Sequence, residues 1–518
     1  MPAITEQRYD FRGGMSRLRR QNQTEVYLSQ NARPRADGTL EVRNGQTLYT
    51  NIGSTGSIER LYARYTVDLG LRFYSIRRTD GSNDLIYSNE TQISGPDFGA
   101  NDYCSVVEYK GVLFFSNGVT PINYHDPSAN PAKAWGAEVW GASAWGAPQT
   151  RAEVTGTPTP PKGQHMVIYK DRLYVGTSDG LVYYSNAGLF TTLPTVDMPA
   201  LNFQTIGGPG NPVTGLAAGE DFLLAFTRGS YHVMTGVPDD DGGLGDMAWQ
   251  VFQNIGCTAS RSISTQGRRV AFLGTDRRMY ILDGSVLTDI DEDNKMQEYF
   301  LAVDSSVLRT VASTFFRDEL WIRLPSGNSE TVGNTLVYNL SSKKWTVFSG
   351  MDSYSFFFCP DVGKLFLGKA TSSKIYDPTE GATEPDGSLI PLSFISRQEV
   401  FGTLRKRKLF SLLYLQTDQN QGETLNLSYA IDNTTEFTAF GVGSTSTATG
   451  KAWGAEAWGV SAWGGVQMRR AFARLSSGGS GIRGTEFRFK ASGNVSPGTR
   501  ILSYEIEATV EERDGEVL

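Results

Sequence analysis

Three histidines, His125, His165 and His232, and three cysteines, Cys104, Cys257 and Cys359, supply all the imidazole and thiol chemistry in 518 residues. No two histidines are close in sequence and no cysteine pair is spaced as CxxC, so neither a zinc site nor a disulfide framework is expected. There is no phosphate-binding loop, no dinucleotide fingerprint, no GxSxG elbow and no HExxH helix. The chain is therefore expected not to be an enzyme, with no catalytic residue, no cofactor and no resident metal.

Charged clusters are the next candidates. Asp289, Asp291 and Asp293 alternate as in a calcium loop, but Asn294 stands at position six and Phe300 at position twelve, so the loop is not an EF-hand. Asp239, Asp240, Asp241 and Asp246 crowd a Gly-rich turn, and a solvated turn accounts for both groups. Arg405, Lys406, Arg407 and Lys408 read as a solvated edge that blocks unwanted strand pairing. Arg12, Arg17, Arg19 and Arg20 cluster around a Gly-Gly turn, either to grip an acidic neighbouring subunit or as an exposed arm.

Six of the nine tryptophans lie in two near-copies, KAWGAEVWGASAWG at 133–146 and KAWGAEAWGVSAWG at 451–464, identical at 12 of 14 positions. Trp135, Trp140, Trp145, Trp453, Trp458 and Trp463 recur every five residues, neither the helical 3.6 nor the strand 2. They read as Gly-punctuated ribbons that pack under a loop or form a subunit contact, where Trp is enriched.

The elements that carry these residues are short strands. An apolar run, a tight turn, a second apolar run, another turn and a third run begin at Ser105 and return at His165, Val213, Ser260, Leu308 and Tyr354. The starts are 60, 48, 47, 48 and 46 residues apart, and the one long interval holds the Trp-Gly insertion at about 127–161. Units of this length with three or four strands are the arithmetic of β-propeller blades, each needing neighbours to bury both faces. Residues from Ser57 form a further copy, so six blades are expected and a seventh is allowed. The 57 glycines and 59 aromatics suit such an all-β, turn-rich fold. Propeller glycosidases need paired carboxylates and an arginine cluster in the central cup, and the Asp-box repeat that often decorates them is missing.

Beyond about residue 390 the pattern changes to longer alternating strands, an antiparallel β-sandwich-like platform. The expected organisation is 1–56 as an arm and platform strands, 57–390 as the propeller, and 391–518 as the C-terminal β domain. No run of 18 apolar residues exists to span a membrane, and the N-terminal residues lack the apolar core of a secretion signal. Net charge is −7, so no basic surplus marks a dedicated nucleic-acid binder.

The N-terminal residues also carry a family likeness. Phe11, Gly13 and Gly14 are followed by Asn31, then by Gly38, Leu40, Arg43 and Gly45. This F-x-G-G element, lone Asn and G-x-L-x-x-R-x-G run resembles the opening of phage tail nozzle (tail tubular) proteins and packaged-DNA stabilisation proteins of short-tailed phages. The resemblance implies a propeller flanked by β domains and a ring, usually a hexamer, below the portal and adaptor. It also implies contacts with tail fibres and a channel for passing double-stranded DNA without sequence-specific contacts. It covers the N-terminal motif sharply and the rest only in style; it does not account for the paired Trp-Gly ribbons, which leave open a relative in a different tail position.

The expected function is thus a virion structural protein of the tail, assembled in the host cytoplasm, forming an oligomeric ring that retains packaged DNA and conducts it during ejection. A mildly acidic wall suits sliding of DNA, where a basic wall would hold it. The alternative is a tail-tip hub, fibre-attachment or receptor-binding protein, with the Trp ribbons as sugar-stacking platforms.

Overall fold

The computed structural model describes the chain except for residues 1–2, 9, 18–24, 53–55, 67–69, 79–83, 90, 93–104, 110, 120–121, 126–161, 188–201, 241–242, 244, 402–405, 419–422, 433, 446–467, 475, 478–479 and 512–518. Both Trp-Gly ribbons, with Trp135, Trp140, Trp145, Trp453, Trp458 and Trp463, lie outside the described residues.

Six small antiparallel sheets and the first four strands of a larger one follow one another along the chain as seven blades, so the seventh copy that the repeat allowed is a full blade. Their innermost strands are Ser57–Thr66, Ser105–Tyr109, Gly163–Tyr169, Gly215–Ala218, Ser264–Gln266, Ala312–Phe316 and Ser353–Cys359. Consecutive innermost strands pack side by side, and the seventh packs against the first, which closes the propeller. In blades 3 to 7 a short turn joins first to second strand. Lys170 and Asp171 fill it in blade 3 with φ of 42° and 61°, the left-handed geometry that a two-residue hairpin requires.

Each of the seven blade-to-blade gaps holds its own apolar cluster. Tyr74, Ile76, Leu113 and Phe115 join blades 1 and 2, and Phe226, Phe272, Tyr280 and Leu282 join blades 4 and 5. Trp321, Phe348, Phe356 and Leu367 join blades 6 and 7. Ile58, Phe73, Phe366 and Ile375 join blades 7 and 1. A blade buries both faces only by stacking on two neighbours, which is why the repeat must close on itself.

Closure uses the N-terminal arm. Thr47–Asn51 pairs antiparallel with Lys374–Asp377 and supplies the outer strand of blade 7. The assignment of all of 1–56 to the arm and platform is corrected here: the repeat supplies three strands of blade 7, and its fourth is Thr47–Asn51 from the arm.

The rest of the arm belongs to a two-sheet sandwich with the C-terminal strands. In one sheet Arg500–Val510 pairs with Ala3–Arg8, Lys408–Asp418 and Leu40–Val42. In the other, Leu28–Gln30 lies between Lys344–Ser349 of blade 6 and Ile390–Ile395 of the platform. Blade 6 therefore runs on through the arm into the second platform sheet as one nine-stranded sheet. Phe394 and Phe489 from that sheet meet Phe410, Leu413, Tyr504 and Ile506 from the other in a shared core.

Lys408 departs from the expected solvated edge. Its strand is central, its side chain is buried, and Nζ donates to the Thr485 carbonyl at 2.9 Å. The amphipathic stem lies in the sheet while the amine reaches the Thr485 carbonyl. No helix among the described residues is long and apolar enough to cross a membrane.

If Thr47–Asn51 closes the ring, Thr50→Pro, which sits opposite Ile375, removes a ladder donor there. The expected result is a lower unfolding temperature by circular dichroism and faster amide exchange in 374–377. Unchanged exchange there would contradict the closure.

Candidate functional site

Every residue of the N-terminal motif is described, and the structure places them along the seam where arm, blade 6 and platform meet. Phe11 is buried in the platform core against Phe394, with ring centroids 5.7 Å apart, and against Tyr504 at 6.1 Å. Its N–H donates to the Gly38 carbonyl at 2.7 Å, which ties the two glycine turns together. Gly13 sits in the turn after Phe11. Gly14 has φ of 72°, and a Cβ there would press on Lys344 Cβ at 3.1 Å. Gly38, with φ of 90°, turns the hairpin between Ala32–Pro34 and Leu40–Val42, where Asp37 accepts from the Thr39 N–H at 3.0 Å. Leu40 is fully buried in the platform core.

Asn31 and Arg43 form the polar centre of the seam. Asn31 is fully buried with φ of 63°, a conformation that Asn tolerates better than most residues. Its Nδ2 donates to Ser349 Oγ at 2.8 Å and to the Pro391 carbonyl at 2.7 Å. Its Oδ1 accepts from the Ser349 N–H at 2.8 Å and from Arg43 Nε at 2.9 Å. One amide thus joins blade 6, the platform and the arm.

Arg43 also donates to the Ser349 carbonyl at 2.8 Å and the Asn44 carbonyl at 2.8 Å. It pairs with Glu384, with the two side chains only 2% and 9% exposed. Burial drives the Arg43 pKa down, outweighing the support from Glu384. Gln46 Nε2 donates to the other Glu384 oxygen at 2.8 Å and to the Gly350 carbonyl at 2.9 Å. Gly45 passes so close to Thr383 that a Cβ would overlap its carbonyl oxygen. Outside the motif, Arg33 pairs with Glu319 at 2.9 Å and lies 4.9 Å from the Phe348 ring centre, adding a second clamp onto blade 6.

The other feature of the fold is the axial cavity, about 320 Å³, lined by residues of all seven innermost strands. Its walls mix apolar groups, such as Val106, Met166 and Phe357, with Ser105, Ser264 and Ser313. His165 lines it too, and burial followed by the nearby Arg60 pushes its pKa down to about 3, so it is neutral at physiological pH. Cys257 is buried and its thiol is pushed up to about 12 by burial, which leaves it unreactive.

The acidic loops are occupied internally. Asp289 pairs with Arg278 at 2.5 Å, and both Asp291 oxygens accept from the Met296 N–H at 3.0 Å. Asp240 accepts from Arg172 at 2.7 Å and Asp246 from the Val237 N–H at 2.7 Å, while Asp241 lies outside the described residues. Among the described residues no group of three or more His, Cys, Asp or Glu converges as metal ligands would. Arg12 pairs with Asp10 and Arg17 with Glu298, both within the chain, and Arg17 lies 4.2 Å from the Tyr27 ring centre. Arg19, Arg20, Arg405 and Cys104 lie outside the described residues.

No protein-family model matches the chain, and no curated protein matches it. Among solved structures, the computationally designed Ika8 protein aligns at 9% identity and a TM-score of 0.37, over 63% of this chain and 99% of that one. BamB from Moraxella catarrhalis aligns at 11% and 0.34, over 67% and 92%. A chain of the Mitotic Checkpoint Complex aligns at 9% and 0.37, over 65% and 96%. These likenesses carry no functional information.

Two outcomes follow from these contacts. Arg43→Ala leaves Glu384 buried without its main partner and is expected to cost about 3–5 kcal/mol in denaturant unfolding, while Arg43→Met with Glu384→Leu recovers much of that. Equal losses in the single and double variants would contradict the pairing. The second concerns pH. Burial raises Asp291 from 3.8 to about 6. The folded chain then binds a proton that the unfolded chain has released, so Asp291 lowers stability as pH rises from about 4 to about 6. Asp291→Asn is expected to flatten that fall by an amount on the order of 2–3 kcal/mol; an unchanged pH profile would contradict it.

Proposed function

We propose that this chain is a structural subunit of a phage tail, an oligomeric ring, most simply a hexamer, that retains packaged DNA and conducts it during ejection. The observation that carries the reading is the seam: the eight residues on which the family resemblance rests sit along one structural junction, where they fasten a propeller to a β platform. A motif kept for assembly and rigidity has this character, whereas a catalytic motif would line an open cleft.

DNA does not pass through a single propeller on this reading. An axial cavity of about 320 Å³ is far too small for a duplex whose major groove alone is about 12 Å wide. The conduit must lie between subunits, which makes ring assembly a requirement of the function. The net charge of −7 suits a wall along which phosphates slide. The partners are other copies of the chain, adaptor or portal-proximal tail proteins, tail fibres and passing duplex DNA. The site of action is the virion tail, with assembly in the host cytoplasm.

The purified protein, alone and mixed with its adaptor, is expected to form closed rings with an open lumen in electron micrographs. Trp140→Ala with Trp458→Ala is expected to weaken assembly more than it lowers the unfolding temperature. A monomer that binds soluble glycans, and loses them on the same substitutions, would overturn the ring and favour a receptor-binding protein.

A further inference from the structure

The outer strand of a blade is an open edge unless something covers it, and an open edge offers a row of N–H and C=O groups to another strand. Blade 6 has no such edge, because its outer strand runs on into the platform. In the other six blades the sheet ends, among the described residues, at the outer strand. Four of these edges are short. Thr91–Gln92, Asn123–His125 and Phe203–Thr205 have two or three residues, and Val286–Asp289 has four and ends on an acid. The exceptions are Ala248–Gln253 of blade 4 and Thr47–Asn51 of blade 7, with six and five residues and neither a charge nor a proline.

Both edges carry apolar side chains in water. Val251 and Phe252 are 50% and 40% exposed, and Leu48 and Tyr49 are 47% and 43% exposed. Ala248–Gln253 pairs with Ser230–Thr235 in unbroken register, so no bulge blunts that edge. On Thr47–Asn51 the register shifts at Tyr49, whose ring is anchored on Phe366 with centroids 5.0 Å apart. In a closed ring of seven, blades 4 and 7 are three steps apart, as far as two blades can be. A subunit of a closed ring needs such a pair, because one surface must match a different surface on its neighbour.

The charges at the strand ends also match. Exposed Asp239 and Asp246 precede Ala248, and exposed Arg228 lies in the turn beside Gln253. On blade 7, Lys374 stands opposite Asn51, and Glu380 lies beside Thr47, sharing Lys364 with Asp377. An antiparallel junction sets Lys374 beside the two aspartates and Arg228 beside Glu380. Charges at a rim of this kind fix orientation more than affinity. We propose that Ala248–Gln253 of one copy joins Thr47–Asn51 of the next, edge to edge, as a contact between neighbours in the oligomeric ring. The inference rests on the ring reading above and names the surface by which the ring is joined.

The test uses the whole protein, assembled and dissociated by dilution. Val251→Lys and Leu48→Lys each place a charge on one edge, the device by which natural edges avoid pairing. Each is expected to raise the concentration needed for assembly about tenfold or more in sedimentation velocity, with the unfolding temperature unchanged. Should Leu48→Lys loosen blade 7, Leu48→Gln replaces it. Val119→Lys, at a similarly exposed position in blade 2, is expected to leave assembly as it was. Amide exchange in 248–253 and 47–51 is expected to slow about tenfold on assembly. Rings that form with exchange unchanged in both segments, or that respond to Val119→Lys as to the edge variants, overturn this contact and leave the ring reading standing. Loss of assembly on Val251→Lys with none on either Leu48 variant overturns the head-to-tail pairing. A chain that stays monomeric at every concentration, alone and with its adaptor, overturns both.

Discussion

Arg43 and Glu384 are buried together, and neither is tolerable inside the protein without the other. Taking two charges out of water costs several kcal/mol each, and only good geometry with further hydrogen bonds offsets that. The seam provides both. Asn31, Gln46, Ser349 and the Asn44 carbonyl take up the remaining donors and acceptors of the pair. Satisfying it requires the arm, the end of blade 6 and the loop before the platform to be in place at once, since the pair spans 341 residues of sequence. The apolar clusters supply most of the stabilisation, while this network fixes which surfaces meet.

The same short segment also closes the propeller. Gln46 belongs to the seam, and Thr47 opens the strand that completes blade 7. Ring closure and platform docking are therefore coupled through adjacent residues. A chain whose first fifty residues must find partners beyond residue 340 has a large share of non-local contacts, which slows folding. In the proposed tail ring, that coupling would let a load on the platform reach the propeller through backbone ladders and buried ions.

Much of the fold was legible in the sequence because blade structure is periodic. The spacing near 47 located the blades, and the turns such as Lys170–Asp171 fell at matched positions. The closing strand at Thr47–Asn51 was not legible, since it lies outside the repeat and five residues carry no periodic signal. Likewise, Leu28–Gln30 is too short to show that it bridges blade 6 and the platform. Lys408 looked like an edge lysine because sequence shows charge and not the Thr485 carbonyl that receives it.

The motif residues were visible as a pattern, but their role was not. Asn31 reads as an ordinary turn residue until its four side-chain bonds are seen. Glu384, the partner that gives Arg43 its meaning, has no local signal at all, because the pairing exists only in three dimensions. The most direct test of a seam that unites the two bodies is scanning calorimetry of the intact chain. A single cooperative transition that splits in two when Arg43 is replaced by Ala is what the structure predicts. Two separate transitions in the unaltered protein, with the platform melting independently of the propeller, would contradict it.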